Sequence, residues 1–211
     1  MPIIKIIEKN KHTKLIIWEL IESENYLIKY LNPFFKKNLL EFTCIKHIKR
    51  RYEFLAIRCC LKYLGLDTRV YYLNGKPYIK NYKFNVSFSH SYNKVVVATS
   101  KNIIGVDIEK CKRNKILKVK NKFLRKDEAN FIDYSIEVDQ LHIIWGIKES
   151  LYKLSNKKLV NFLLNYKISP FSIKDPYIIC WIIDKSYCKA FIAFYLKIDN
   201  YYLVYVIDDL K

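Results

Sequence analysis

The sequence predicts an α+β chain whose two halves follow one plan, helix combined with antiparallel strands. Three observations carry this reading: a strongly periodic helical stretch between Ile45 and Leu64, a run of alternating segments around Asn74-Gly75, and a second set of helical stretches followed by four strand-like runs. Pro2 to Trp18 opens the chain as two extended apolar runs, Ile3 to Ile7 and Lys14 to Trp18, on either side of a polar turn, which reads as a hairpin. Ile45, Ile48, Tyr52, Leu55, Ala56 and Cys59 then recur at three- and four-residue steps, and Gly65 stands where a helix ends in the left-handed conformation. Asn74-Gly75 between Val70–Leu73 and Lys76–Lys80 is a hairpin signal, because a type I′ turn needs positive φ at both central residues. Phe84–Ser91, Lys94–Thr99 and Ile103–Glu109 read as further strands. Beyond Lys110 the spacing turns helical over Ile116–Asp133 and Glu137–Leu154, and Tyr166–Phe171, Tyr177–Ile183, Cys188–Lys197 and Tyr201–Ile207 close the chain as strands.

Composition narrows the function classes. With 211 residues, 51% of them hydrophobic and 16% aromatic, the chain can bury a substantial core and is not of the polar kind that stays disordered. Its four glycines, Gly65, Gly75, Gly105 and Gly146, are too scattered to write a dinucleotide-binding or P-loop turn. The longest apolar runs, Tyr177–Ile183 among them, fall far short of the ~20 residues of a membrane helix. Met1 to Asn10 carries Lys5, Glu8 and Lys9 and lacks the apolar core of a secretory signal, so a cytoplasmic protein is expected. Cys44, Cys59, Cys60, Cys111, Cys180 and Cys188 form no CxxC and do not combine with the histidines at zinc spacings; they read as reduced structural thiols. Net charge is +18, from 38 basic and 20 acidic residues, which invites an anionic partner. Lysine supplies most of it, 32 against 6 arginines, a proportion that AT-rich codon usage explains equally well. Arginine position says more, since Arg50, Arg51 and Arg58 fall in one nine-residue stretch.

Three segments carry chemistry. In Gly105-Val-Asp-Ile-Glu109 the strand period of two sends Asp107 and Glu109 to one face, and converging carboxylates with hard oxygen donors suit Mg²⁺. Taken alone, such a pair is more simply a solvated strand end. On the helix Trp145-Gly-Ile-Lys-Glu-Ser-Leu-Tyr-Lys153, Trp145, Glu149 and Lys153 are four residues apart and share a face, so Glu149 can add a third carboxylate and Lys153 a cation for phosphate. The competing reading is an exposed Glu149–Lys153 pair worth ~0.3–0.5 kcal/mol; Trp145 on the same face argues for a buried or ligand-lined surface. At the end of its strand, Phe88-Ser-His-Ser91 offers a hydroxyl, Ser89, and an imidazole, His90, as donors to phosphate oxygens.

Together with Asn74-Gly-Lys-Pro-Tyr78, and in this order and spacing from about residue 50 to 153, these segments resemble the 4′-phosphopantetheinyl transferases, specifically the long Sfp-type members. The resemblance implies two similar helix-plus-sheet halves related by a pseudo-twofold axis, residues 1–104 on the adenosine side of coenzyme A and 105–211 with the metal site and catalytic helix. It implies transfer of the phosphopantetheine arm of coenzyme A to a serine of an acidic apo acyl or peptidyl carrier protein, with release of adenosine 3′,5′-bisphosphate. In these terms Asp107, Glu109 and Glu149 match the Mg²⁺ carboxylates and Glu149 also the general base. His90, Ser89 and Lys153 match positions that hold the coenzyme A phosphates, and Lys153 and His90 offset charge on the leaving group. Lys76 matches the lysine near the adenosine end, and Arg50, with Arg51 and Arg58 as rivals, the basic helix beside the 3′-phosphate. One departure is local: Lys126-Asp127-Glu128 after Phe123-Leu124 follows the family's FFSxxE only loosely. A monomer that binds neither nucleic acid nor membrane is expected. Two other readings compete. A metal-dependent nuclease would want its lysine in a strand E-x-K, and a non-catalytic basic nucleic-acid binder leaves Asp107, Glu109 and Glu149 unexplained.

Overall fold

A computed structural model describes residues 2–155, 161–185 and 187–209. The fold is mixed helix and antiparallel sheet, in two compact units, Met1–Lys101 and Asn102–Lys211.

The first unit holds a four-stranded antiparallel sheet. Strands β1 (Ile3–Asn10) and β2 (Thr13–Glu19) form the opening hairpin, and with β5 (Asn85–Ser91) and β6 (Lys94–Ser100) the order is β1-β2-β6-β5. Between β2 and β5 come α1 (Glu24–Leu31), a 3-10 turn over Phe34–Asn38, α2 (Leu39–Thr43), α3 (Ile48–Tyr63) and the small hairpin β3 (Tyr71–Leu73) and β4 (Lys76–Tyr78). Leu27 and Leu31 of α1, Leu55, Ala56, Cys59 and Cys60 of α3, Ile16 and Trp18 of β2 and Val95 and Val97 of β6 make one buried cluster, which is where the period-3.6 and period-2 patterns meet.

Two details follow from the turn residues. Asn74 and Gly75 take φ of 50° and 76°, the type I′ geometry their sequence demands. After α3, Gly65 sits at φ 72°, the Gly65 amide donates to the Lys62 carbonyl at 2.9 Å and the Leu66 amide to the Leu61 carbonyl at 2.9 Å, which closes the helix with the paired bonds of a Schellman motif. The helix starts at Ile48 and not at Ile45, because His47 is extended (φ −82°, ψ 120°) and serves as its N-cap. In α1 Leu27, Ile28 and Leu31 recur at helical spacing; the helix is set by the Ser23 side chain accepting from the Tyr26 amide and by Leu27 and Leu31 reaching the core.

The second unit begins with β7 (Ile104–Lys110) and continues through α4 (Arg113–Val119), a 3-10 turn over Lys120–Lys122, α5 (Lys126–Ala129) and the long helix α6 (Glu137–Leu154). After α7 (Phe162–Asn165) come β8 (Tyr166–Ile168), β9 (Ile178–Asp184), β10 (Tyr187–Ile198) and β11 (Tyr201–Ile207), in an antiparallel sheet of order β7-β11-β10-β9-β8. Thus β7 pairs with β11 and belongs to a different sheet from β5 and β6. The single helix expected over Ile116–Asp133 is broken. Phe123, fully buried, ends the turn at φ −135°, and Glu128 restarts the chain as α5 by accepting the Arg125 amide at 3.0 Å. Leu141, Ile144, Ile147 and Leu151 of α6 pack with Tyr202, Val204 and Val206 of β11 and Cys180 of β9.

Candidate active site

Two glycines bring α6 onto the sheet. A Cβ on Gly105 would lie 2.0 Å from the Ser150 carbonyl oxygen, and one on Gly146 would lie 2.6 Å from Val204 Cγ2. No side chain fits at either point, so the helix backbone approaches β7 and β11 directly, and Ser150 Oγ donates to the Val204 carbonyl at 3.3 Å. Because Gly105, Asp107 and Glu109 alternate with Val106 and Ile108, the face that Gly105 turns toward α6 is also the face of the two carboxylates.

Across that contact Lys153 Nζ donates to Asp107 Oδ1 at 2.8 Å and to the Val106 carbonyl at 2.8 Å. Lys153 is therefore the counter-ion of the buried Asp107 and not of Glu149, which replaces the reading of an exposed Glu149–Lys153 helix pair. One turn earlier on the same face, Glu149 is pushed up to about 7. Burial is the largest cause; the charge of Asp107 adds to it, Lys153 opposes it, and Glu109 adds a smaller push. Three acids and one lysine thus share one electrostatic neighbourhood. Among the described residues no three His, Cys, Asp or Glu side chains are already gathered into a metal cluster. The donor chemistry nonetheless suits a hard divalent cation: all three groups offer oxygens, and burial together with the charge of Asp107 outweighs Lys153 in holding Glu149 above the usual carboxylate range.

Trp145 packs edge-on to Phe123 at 5.1 Å and against Phe162 at 5.5 Å, and Phe162 also meets Tyr152 and Tyr166. This aromatic group walls α6 beside Glu149. A second tie escaped the sequence reading. Lys148 is fully buried, donating to Glu128 Oε2 at 2.7 Å and to the Phe123 and Phe162 carbonyls at 2.6 and 3.3 Å. Glu128 also accepts the Ile168 and Arg125 amides, each at 3.0 Å, and burial drives Lys148 down to about 8. The signal was present: Lys148 lies on the stripe of Ile144 and Leu151, where a lysine requires a buried acid.

The first unit gathers a separate set. Arg50 Nη1 lies 3.3 Å from His90 Nε2, and His90 Nδ1 lies 3.0 Å from Glu53 Oε1. Arginine has no acceptor, so Nε2 accepts and Nδ1–H faces Glu53. Glu53 is buried beside Lys49 and Arg50, and burial raises its carboxyl. The rival arginines are committed elsewhere: Arg51 grips Glu24 with two bonds of 2.7 and 2.5 Å over the Phe42 ring, and Arg58, buried, stacks 3.4 Å above Phe54 and meets Glu41 at 3.0 Å. Arg50, 66% exposed at its side chain, is the one brought to His90. Ser89 and His90 are successive residues of β5 and project from opposite faces of its sheet. Lys76 opens β4, half-buried, and burial lowers it.

Residues 103–206 match the family model of the 4′-phosphopantetheinyl transferase superfamily. The matched span is just under half of the chain and contains Asp107, Glu109, Glu149 and Lys153 together with the Glu128–Lys148 tie. No curated protein matches the chain.

Proposed function

We propose that the protein transfers the 4′-phosphopantetheine arm of coenzyme A to a serine of an apo acyl or peptidyl carrier protein, in the manner of the long Sfp-type enzymes. The observation that carries the reading is Glu149, held near neutrality on α6 opposite Asp107 and Glu109, inside the segment matched by the superfamily. With no metal bound this carboxyl lies near 7, so it can exchange a proton at neutral pH, as a general base must, and a bound cation would favour its ionised, proton-accepting form. The serine oxygen then bonds to the β-phosphorus of the pyrophosphate, its proton goes to Glu149, and the bond to adenosine 3′,5′-bisphosphate breaks with the electron pair on the departing phosphate. Lys153, already positioned by Asp107, faces that growing negative charge.

Asp107, Glu109 and Glu149 would hold Mg²⁺, whose chemistry there is to neutralise pyrophosphate oxygens. Arg50 and His90 would hold the coenzyme A phosphates, with Arg50 preferred because it is the most exposed of the three arginines and lies beside His90, whereas Arg51 and Arg58 are less exposed and bonded to Glu24 and Glu41. Lys76 belongs to the adenosine end of the same proposal, and Ser89, on the face of β5 opposite His90, is included on the resemblance alone. A net charge of +18 favours an acidic carrier and a salt-sensitive encounter. No described helix is long and apolar enough to cross a membrane; a cytoplasmic monomer completes the proposal.

Incubation with coenzyme A, Mg²⁺ and several apo carrier proteins tests it by mass spectrometry. The carrier gains the mass of the phosphopantetheine arm, and Asp107→Ala with native circular dichroism does not transfer it. Unmodified carriers throughout, or full activity in Asp107→Ala, overturns the assignment.

A further inference from the structure

A cleft of about 390 Å³ lies wholly within the first unit, apart from the residues assigned to coenzyme A and outside the segment matched by the superfamily. Ile6, Ile16 and Leu64 contribute its apolar lining, and Tyr63, Tyr82 and Phe84 supply aromatic walls. Tyr82 and Phe84 stack with ring centres 5.0 Å apart and planes at 20°, and His12 approaches Phe84 at 6.2 Å. Lys101 Nζ stands 5.9 Å over the Phe84 ring and donates to His12 Nε2 at 3.4 Å. Lys11 and Lys14 join the lining, against a single carboxylate, Glu8, which Lys14 already meets at 2.7 Å. The surplus is felt by His12, which burial and then the charges of Lys101 and Lys11 hold below the usual imidazole range.

Stacked rings with an apolar interior and an uncompensated cationic rim are complementary to a flat heteroaromatic ring that carries an anion. An outward π-face of the stacked pair takes the ring, because every base has a face to stack, and lysines take phosphate oxygens as point charges. The volume is at the small end for ligand sites, ~300–1,000 Å³, and suits one nucleotide; a strand track would need a succession of such platforms along a groove. We propose that this cleft binds a nucleoside 5′-monophosphate, its base against Tyr82 and Phe84 and its phosphate toward Lys11 and Lys101. The site is independent of the transferase reading.

The test titrates adenosine and uridine 5′-monophosphate into the full chain while following the His12 ring protons by NMR, with and without excess coenzyme A. The expected result is a saturable His12 shift at submillimolar nucleotide that coenzyme A does not remove. Phe84→Leu weakens it several-fold, and the exposed pair Lys11→Gln with Lys101→Gln, which removes charge without touching the core, weakens it at least tenfold. The inference falls if His12 does not move at several millimolar nucleotide, if both variants bind as the parent does, or if coenzyme A abolishes the shift. It also falls if a thymidine octamer binds far more tightly than either nucleotide, which would make the cleft part of a strand path.

Discussion

Replacing Glu149 by Gln should stabilise the metal-free protein at alkaline pH. In the folded chain this carboxyl titrates near 7, against 4.5 for a free glutamate. Each factor of ten in acidity is about 1.4 kcal/mol, so ionised Glu149 opposes folding by on the order of 3 kcal/mol. Below about pH 4.5 the group is protonated in both states and contributes nothing. Between 4.5 and about 7 the folded state holds the proton that the unfolded state has released, so stability falls as pH rises, and above about 7 the loss is complete. Glutamine keeps the shape and removes the charge. In urea unfolding with a chelator present, Glu149→Gln should match wild type near pH 4.5 and exceed it by up to about 3 kcal/mol at pH 8. Millimolar Mg²⁺ at pH 8 should then stabilise wild type and leave the variant unmoved, because binding only to the folded state raises its stability. The same slope in both proteins between pH 4.5 and 8, or a variant weaker than wild type at pH 8, would refute the burial of Glu149 beside Asp107 and Glu109.

Two further substitutions separate structure from chemistry. Gly105→Ala drives a methyl against the Ser150 carbonyl, a backbone group that cannot rotate away. A loss of about 3 kcal/mol or more is expected, the upper range for overpacking, whereas Gly65→Ala, in open space but at φ 72°, costs about 1 kcal/mol; chemical denaturation of the two decides it, and equal losses would deny the close helix–strand approach. Arg58→Ala should lower stability by about 2–4 kcal/mol, because it empties a buried stack on Phe54. Arg50→Ala should leave stability within about 0.5 kcal/mol while reducing kcat/KM for coenzyme A by tenfold or more, the expectation for one charged phosphate contact. Unfolding curves and initial rates on the pair check both halves of the statement, and a kinetic defect confined to Arg58→Ala would reverse the assignment.

Periodicity carried most of the fold. Glu137–Leu154 and Tyr201–Ile207 run as their patterns require, and Asn74-Gly75 makes its turn, because helix face, strand face and positive φ are local properties of a few neighbouring residues. Elsewhere the sequence was less legible. Glu24–Leu31, only eight residues long, shows its apolar face too briefly to stand out, and Ile116–Asp133 breaks where burial of Phe123 and capping by Glu128 outweigh a helical period.

The candidate site divides in the same way. That Asp107 and Glu109 share a face, and that Glu149 and Lys153 share another, follows from the geometry of a strand and a helix and needed only residue spacing. Which charge answers which required the two faces to meet: Gly105 and Gly146 let α6 settle on the sheet, Lys153 turned to Asp107, and Lys148 found Glu128 twenty residues away. Ion pairing and burial act through space at a few ångströms, and distance along the chain does not encode them. For the same reason the partners of Arg50, Arg51 and Arg58 were not legible in the sequence: Arg51 meets Glu24, Arg58 meets Glu41 and Arg50 lies beside His90, residues supplied by other elements of the fold.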